Sequence, residues 1–132
     1  MGYYLQNMTD RVNIINNYID GYNQFDIKKM VADLDDNIVF ENIQNNDISL
    51  SLKGLTAFKQ QAETAKTYFA KRTQTVKSFR HFDNSTEIEI DYTAILAIDF
   101  PNGLKKGQKL KLSGKSVFEF KKNKVIKLTD IS

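Results

Sequence analysis

Apolar positions recur every three or four residues through the first half of the chain and every two residues through the second. In "TDRVNIINNYIDGYNQFD", Val12, Ile15, Ile19 and Tyr22 lie on one helical stripe, which predicts an amphipathic helix with Thr9 as its N-cap. Asp26 is placed to cap a short second helix, "IKKMVADL", whose Ile27, Met30, Val31 and Leu34 share a face. "NIVFENI" and "DISLSL" read as strands joined by the polar turn "QNN", and a third helix runs from Leu55 to Phe69 on the stripe Leu55, Phe58, Ala62, Ala65 and Phe69.

After Lys71 the period is two. "TQTVKSFRHF" predicts a strand, but Val76, Phe79 and Phe82 fall three apart, so a bulge is expected and the facing of His81 stays open. "TEIEIDYTAILAIDF" and "KLKLSGKSVFEF" are long strands joined through "PNGLKKG", and "NK" makes a tight turn into "VIKLTDIS". The order predicts one α+β domain over residues 1–132, with three helices from the N-terminal half packed on one face of a curved, mostly antiparallel sheet.

In the two long strands the large apolar residues, among them Ile88, Ile90, Tyr92, Leu96, Leu112, Phe118 and Phe120, are even-numbered. A turn centred near Gly103 and Leu104 sets Leu96 against Leu112, Ile90 against Phe118 and Ile98 against Leu110. Glu87, Glu89, Asp91 and Asp99 are odd-numbered and therefore face away from the core, with Asp99 opposite Lys109 and Glu87 opposite Lys121. This bears on "HFDNSTEIEIDYTAILAIDF", which holds five of the sixteen acids and the only histidine: its acids form a solvated row rather than a catalytic cluster. The same register pairs Tyr92 with Ser116 and Ala94 with Gly114, where large aliphatics give way to small and polar residues. That predicts room for a ligand, or for one bulky helix side chain. Thr93, Ile95, Ala97 and Val117 form an apolar centre on the outer face, which predicts a two-fold homodimer packed sheet to sheet.

Composition narrows the chemistry. The 132 residues contain no cysteine and one histidine, which excludes disulfides and thiolate catalysis and gives no metal-ligand pattern. No Gly-rich phosphate loop appears, and nothing in the pattern calls for a cofactor. The absence of a long apolar run and of a basic, then apolar N-terminal leader makes a cytoplasmic protein with no membrane segment the expectation. From Pro101 onward nine lysines face only Glu119 and Asp130. No stacking aromatics interleave with them, so they read as soluble strand edges and not as a nucleic-acid surface.

"YIDGYNQFDIKKMVADLDDNIVFEN", "GLTAFKQQA" and "GKSVFEF…KVIKLTDIS" together resemble the SnoaL-like branch of the nuclear transport factor 2-like (NTF2-like) superfamily over nearly the whole chain. The resemblance implies a cone-shaped barrel with an internal pocket, usually dimeric, on a scaffold that hosts isomerases, dehydratases, cyclases and non-catalytic binding domains. Compared with the steroid isomerases of that superfamily, Tyr18 matches the oxyanion tyrosine by standing eight residues before Asp26. The catalytic base falls on Asn42, which has no useful basicity, and the second oxyanion acid falls on Ser116. The expectation is a SnoaL-like domain that binds a small, mostly apolar ligand through Tyr18, Asn42, Tyr92, Ser116 and Asp130. The alternative is an enzyme of isomerase, cyclase or dehydratase type, acting on a cyclic substrate with Asp130 or His81 as acid or base and Tyr18 as electrophile.

Overall fold

The computed structural model describes residues 2–132, with side-chain environments from residue 7 onward. The first helix, α1, is longer than its stripe from Val12 suggests and spans Gly2–Asn23. Thr9 therefore lies inside it and not at its cap; Met8 continues the three-to-four spacing upstream, and no glycine or proline intervenes before Gly21. Asp26 does cap α2 (Ile27–Val31), its carboxylate accepting from the Lys29 N–H at 3.0 Å, but the helix ends three residues before Leu34, which opens the first strand and does not share the helix face. A Cβ on Gly21 would stand 2.7 Å from the Met30 nitrogen, so the glycine allows α2 to fold back against the last turn of α1.

Strands β1 (Leu34–Gln44) and β2 (Asp47–Lys53) form a hairpin closed by Asn45 and Asn46, both at positive φ. Helix α3 (Leu55–Lys66) stops three residues before Phe69, because Thr67 turns its hydroxyl onto the Thr64 carbonyl and Phe69 opens the next strand. β3 (Phe69–His81), β4 (Ser85–Leu96), β5 (Lys109–Lys121) and β6 (Lys124–Ile131) follow as an antiparallel meander. The last tight turn is centred one residue earlier than "NK", on Lys122 and Asn123, both at positive φ. The six-stranded sheet has the order β2-β1-β6-β5-β4-β3, in which β1 pairs with β6 in parallel and every other pairing is antiparallel.

The even-numbered inner face of β4 and β5 is as the alternation predicts. Thr86, Ile88, Ala94 and Leu96, and Ser116, Phe118 and Phe120, are buried, while Glu89 and Asp91 are exposed. The pairing is displaced by four residues: Ile90 faces Gly114, Tyr92 faces Leu112, Ala94 faces Leu110 and Ile88 faces Ser116. The connection makes two turns, at Gly103 and Gly107, both at positive φ, and β4 ends at Leu96, whose backbone bonds with Gly107 and Gln108. Ile98 and Asp99 consequently belong to the loop, with Ile98 41% exposed and Asp99 accepting from the Lys106 N–H. Neither expected cross-strand charge pair forms: Glu87 lies opposite Val117, and Lys109 opposite Ile95. An even shift preserves which face each residue takes and changes only its partner.

The bulge in β3 falls between Val76 and Ser78. Before it, Arg72, Gln74 and Val76 pair with Ala94, Tyr92 and Ile90; after it, Phe79 and His81 pair with Ile88 and Thr86, so His81 also takes the inner face. Ile15, Tyr18 and Ile19 of α1, Met30 of α2 and Phe58 of α3 pack on Ile38, Ile88, Phe118, Val125 and Leu128 of the sheet. At the β3–β4 turn the buried Arg11 of α1 donates to the carbonyls of Phe82, Asp83 and Ser85 and lies against the Phe120 ring. No helix among the described residues is long and apolar enough to cross a membrane.

Candidate ligand-binding site

The helices leave part of the inner face uncovered. Tyr18 and Tyr22 of α1, Phe58 and Ala62 of α3, Asn42 of β1 and Asp130 of β6 border a cavity of about 230 Å³. A second cavity, of about 290 Å³, shares Tyr22, Asn42 and Asp130 with the first and extends over Tyr92, Ser116 and Gln74. Two of the expected ligand-binding positions thus lie beside Asp130 by virtue of strand pairing. Asn42 is its parallel neighbour on β1 and Ser116 its antiparallel neighbour on β5, while Tyr18 borders the first cavity with it. Tyr92 borders the second, opposite Leu112 and not Ser116.

Asp130 is the group best placed for chemistry. Burial pushes its carboxyl up from 3.8 to about 6, and the Ser116 hydroxyl, donating at 2.7 Å, holds it back from rising further. It therefore exchanges its proton close to neutral pH. Tyr18 is 7% exposed, its ring edge-on to Phe118 at 5.7 Å, and its hydroxyl has no hydrogen-bond partner among the described residues. Burial first, and then the nearby Asp130 charge, raise its pKa well above 10.0, so it remains a neutral donor. Tyr22 donates to the Tyr92 hydroxyl at 2.9 Å, and burial raises the pKa of both. Asn42 spends its amide N–H on Ser49 Oγ at 3.0 Å.

Gly114 does not supply the expected space by facing Ala94. A Cβ there would stand 2.9 Å from the Ile131 carbonyl oxygen, so its smallness admits the end of β6. Ala94 lies between Leu110 of β5 and Arg72 of β3. Arg72 is the site residue that sequence reasoning missed. It is 2% exposed, borders the first cavity and donates from Nε to the Tyr22 carbonyl at 2.8 Å. Nothing local in the sequence marks it, since its pairing with Ala94 emerges only from the β3–β4 register. His81 is not in this group. It lies nine residues along β3 from Arg72, roughly 25 to 30 Å at strand spacing, hydrogen-bonded to Thr86 Oγ1 at 2.8 Å and stacked on Phe79. Burial and the Arg11 cation lower its pKa. Among the described residues no group of three or more acids and histidines is close enough together to hold a metal ion.

No protein-family model matches the sequence, and no curated protein matches it. Solved structures do. A candidate polyketide cyclase of Xanthomonas campestris pv. campestris superposes with a TM-score of 0.81 at 13% identity, over 94% of this chain and 90% of that one. A candidate SnoaL-like polyketide cyclase from Jannaschia sp. CCS1 gives 0.75 at 12% identity, over 92% and 84%. The chain has the NTF2-like fold. An NTF2-like protein of unknown function from Burkholderia pseudomallei K96243 shares that fold at a TM-score of 0.74 and 10% identity, over 92% and 88%. Identities this low carry the architecture of helices on a six-stranded sheet and leave the chemistry to the residues of each interior.

Proposed function

We propose that this NTF2-like domain binds a small, mostly apolar cyclic molecule between its helices and its sheet. The observation that carries the reading is the cavity around Asp130, walled by Tyr18, Phe40, Phe58 and Leu52, with Asn42, Arg72 and Asp130 among its polar borders. The free Tyr18 hydroxyl and the Asp130 carboxyl are the polar contacts it offers first. Titration with 2-naphthol, followed by its own fluorescence, tests this. The wild type is expected to bind one equivalent saturably, and Ala65→Phe, which places a ring on the cavity wall, to weaken binding at least about tenfold. Failure of the wild type to saturate, or equal affinity in Ala65→Phe, would contradict it.

A second reading follows from the carboxyl itself. A half-buried acid titrating at about 6 beside a neutral tyrosine is the pairing that moves a proton on a bound ring while stabilising an oxyanion. In this reading Asp130 stands on β6, one strand away from the Asn42 position, and takes the proton-transfer role that the amide of Asn42 lacks. Tyr18 is the electrophile, and His81, at the far end of β3, has no part. Hydrogen–deuterium exchange at C1 of bound 2-naphthol, accelerated by wild type and not by Asp130→Asn, is the expected result; equal exchange in both would remove it.

A further inference from the structure

Two arginines are buried in this molecule, and their surroundings differ. Arg11 is 4% exposed and directs its guanidinium at three backbone carbonyls of the β3–β4 turn. Arg72 is 2% exposed, and among the described residues its only oxygen acceptor is the Tyr22 carbonyl, taken by Nε, while its Nη2 reaches no closer acceptor than the Met30 sulfur at 4.0 Å. No carboxylate lies within 4.0 Å of it among the described residues. The guanidinium carbon lies 3.8 Å from the centre of the Tyr22 ring and 4.6 Å from that of Phe25. Aromatic rings cover a guanidinium on its faces and satisfy none of its in-plane N–H groups.

Arginine keeps its charge when buried, and a buried charge short of acceptors is unfavourable unless a partner arrives. Arg72 borders the cavity, so the partner can come from there. We infer that the ligand of this cavity carries a carboxylate or an equivalent planar oxyanion on its apolar body, received by the Nη edge of Arg72. The fork of N–H groups left by the Tyr22 contact matches two oxygens in one plane. The inference rests on the cavity being the binding site and adds the charge of the ligand to that reading.

Isothermal titration at pH 7.5 with 2-naphthoate and with its neutral isostere 2-naphthamide separates the two claims. The expected result is naphthoate bound at least about tenfold more tightly than the amide by wild type. The preference is expected to vanish in Arg72→Gln while naphthamide affinity persists. Equal affinity of wild type for both overturns the anion inference and leaves the cavity reading in place. Saturable binding of neither overturns both. The wild-type comparison decides the matter without a variant, so an Arg72→Gln chain that fails to fold does not blunt the test.

Discussion

Asp130, half-buried at the cavity, and Arg72, 2% exposed, are opposite cases of a charge drawn away from water. The carboxyl can give up its charge and does so by holding its proton to about 6, whereas the guanidinium cannot. The raised value has a consequence for stability. An unfolded chain releases the Asp130 proton near 3.8, while the folded chain keeps it to about 6, so folding is favoured less as pH climbs through that window and carries the full penalty above it. Asp130→Asn keeps an acceptor for Ser116 and removes the penalty. We expect it to be more stable than wild type by about 2 to 3 kcal/mol at pH 8, since each tenfold change in proton affinity is worth about 1.4 kcal/mol, and equal to it at pH 3.5. Urea unfolding at the two pH values checks this, and a gap that does not change with pH would mean the carboxyl keeps its ordinary pKa on folding. Asp130 was legible in the sequence because it shares the parity of Ile126 and Leu128. Arg72 was not, because "KRTQT" has the composition of a solvated strand, and nothing local reveals that α1 and α2 cover it.

At the scale of the element, the periodicities placed three helices and six strands in the right order and gave the buried side of the two long strands β4 and β5. They failed where partner choice depends on turn geometry. The connection "PNGLKKG" reads as one hairpin turn centred near Gly103 and Leu104, yet Gly107 makes a second, and the pairing slides by four residues. The bulge at Lys77 was legible from the broken alternation of Val76 and Phe79; that it turns His81 inward required the pairing with Thr86. The parallel contact of β1 with β6 joins residues some ninety positions apart and has no local signature, although it is what sets Asn42 beside Asp130. The α1–α2 corner gives the element-scale prediction. Gly21→Ala would drive a methyl to 2.7 Å from the Met30 nitrogen, which belongs to a backbone bond with Asp26, so something must shift. A loss of about 1 to 3 kcal/mol is expected in thermal or urea unfolding. Stability equal to wild type would mean that α2 packs less closely.

For the whole molecule, the interior and the exterior of the sheet make separate claims. The proposed two-fold dimer uses the outer face, where Thr93, Ile95 and Val117 are half-buried; Ala97 lies just past β4, with its N–H on the Tyr68 carbonyl. Thr93 and Ile95 sit in a shallow recess between Lys71 and Lys109, so an apolar centre with a basic rim is what a partner copy would meet. Sedimentation of wild type at micromolar concentration is expected to give twice the 15.2 kDa mass of the chain, and Ile95→Glu to give the single chain. A wild type that sediments only as the single chain would contradict the dimer and leave the interior untouched.

The interior is tested most directly by carbon-detected NMR of the Asp130 carboxyl across pH, with the protein free and then saturated with 2-naphthol. If Asp130 lines a small-molecule site, it titrates near 6 in the free protein and moves higher when the ring displaces water from around it. Titration at the ordinary 3.8, unmoved by the probe, would contradict the account at its centre.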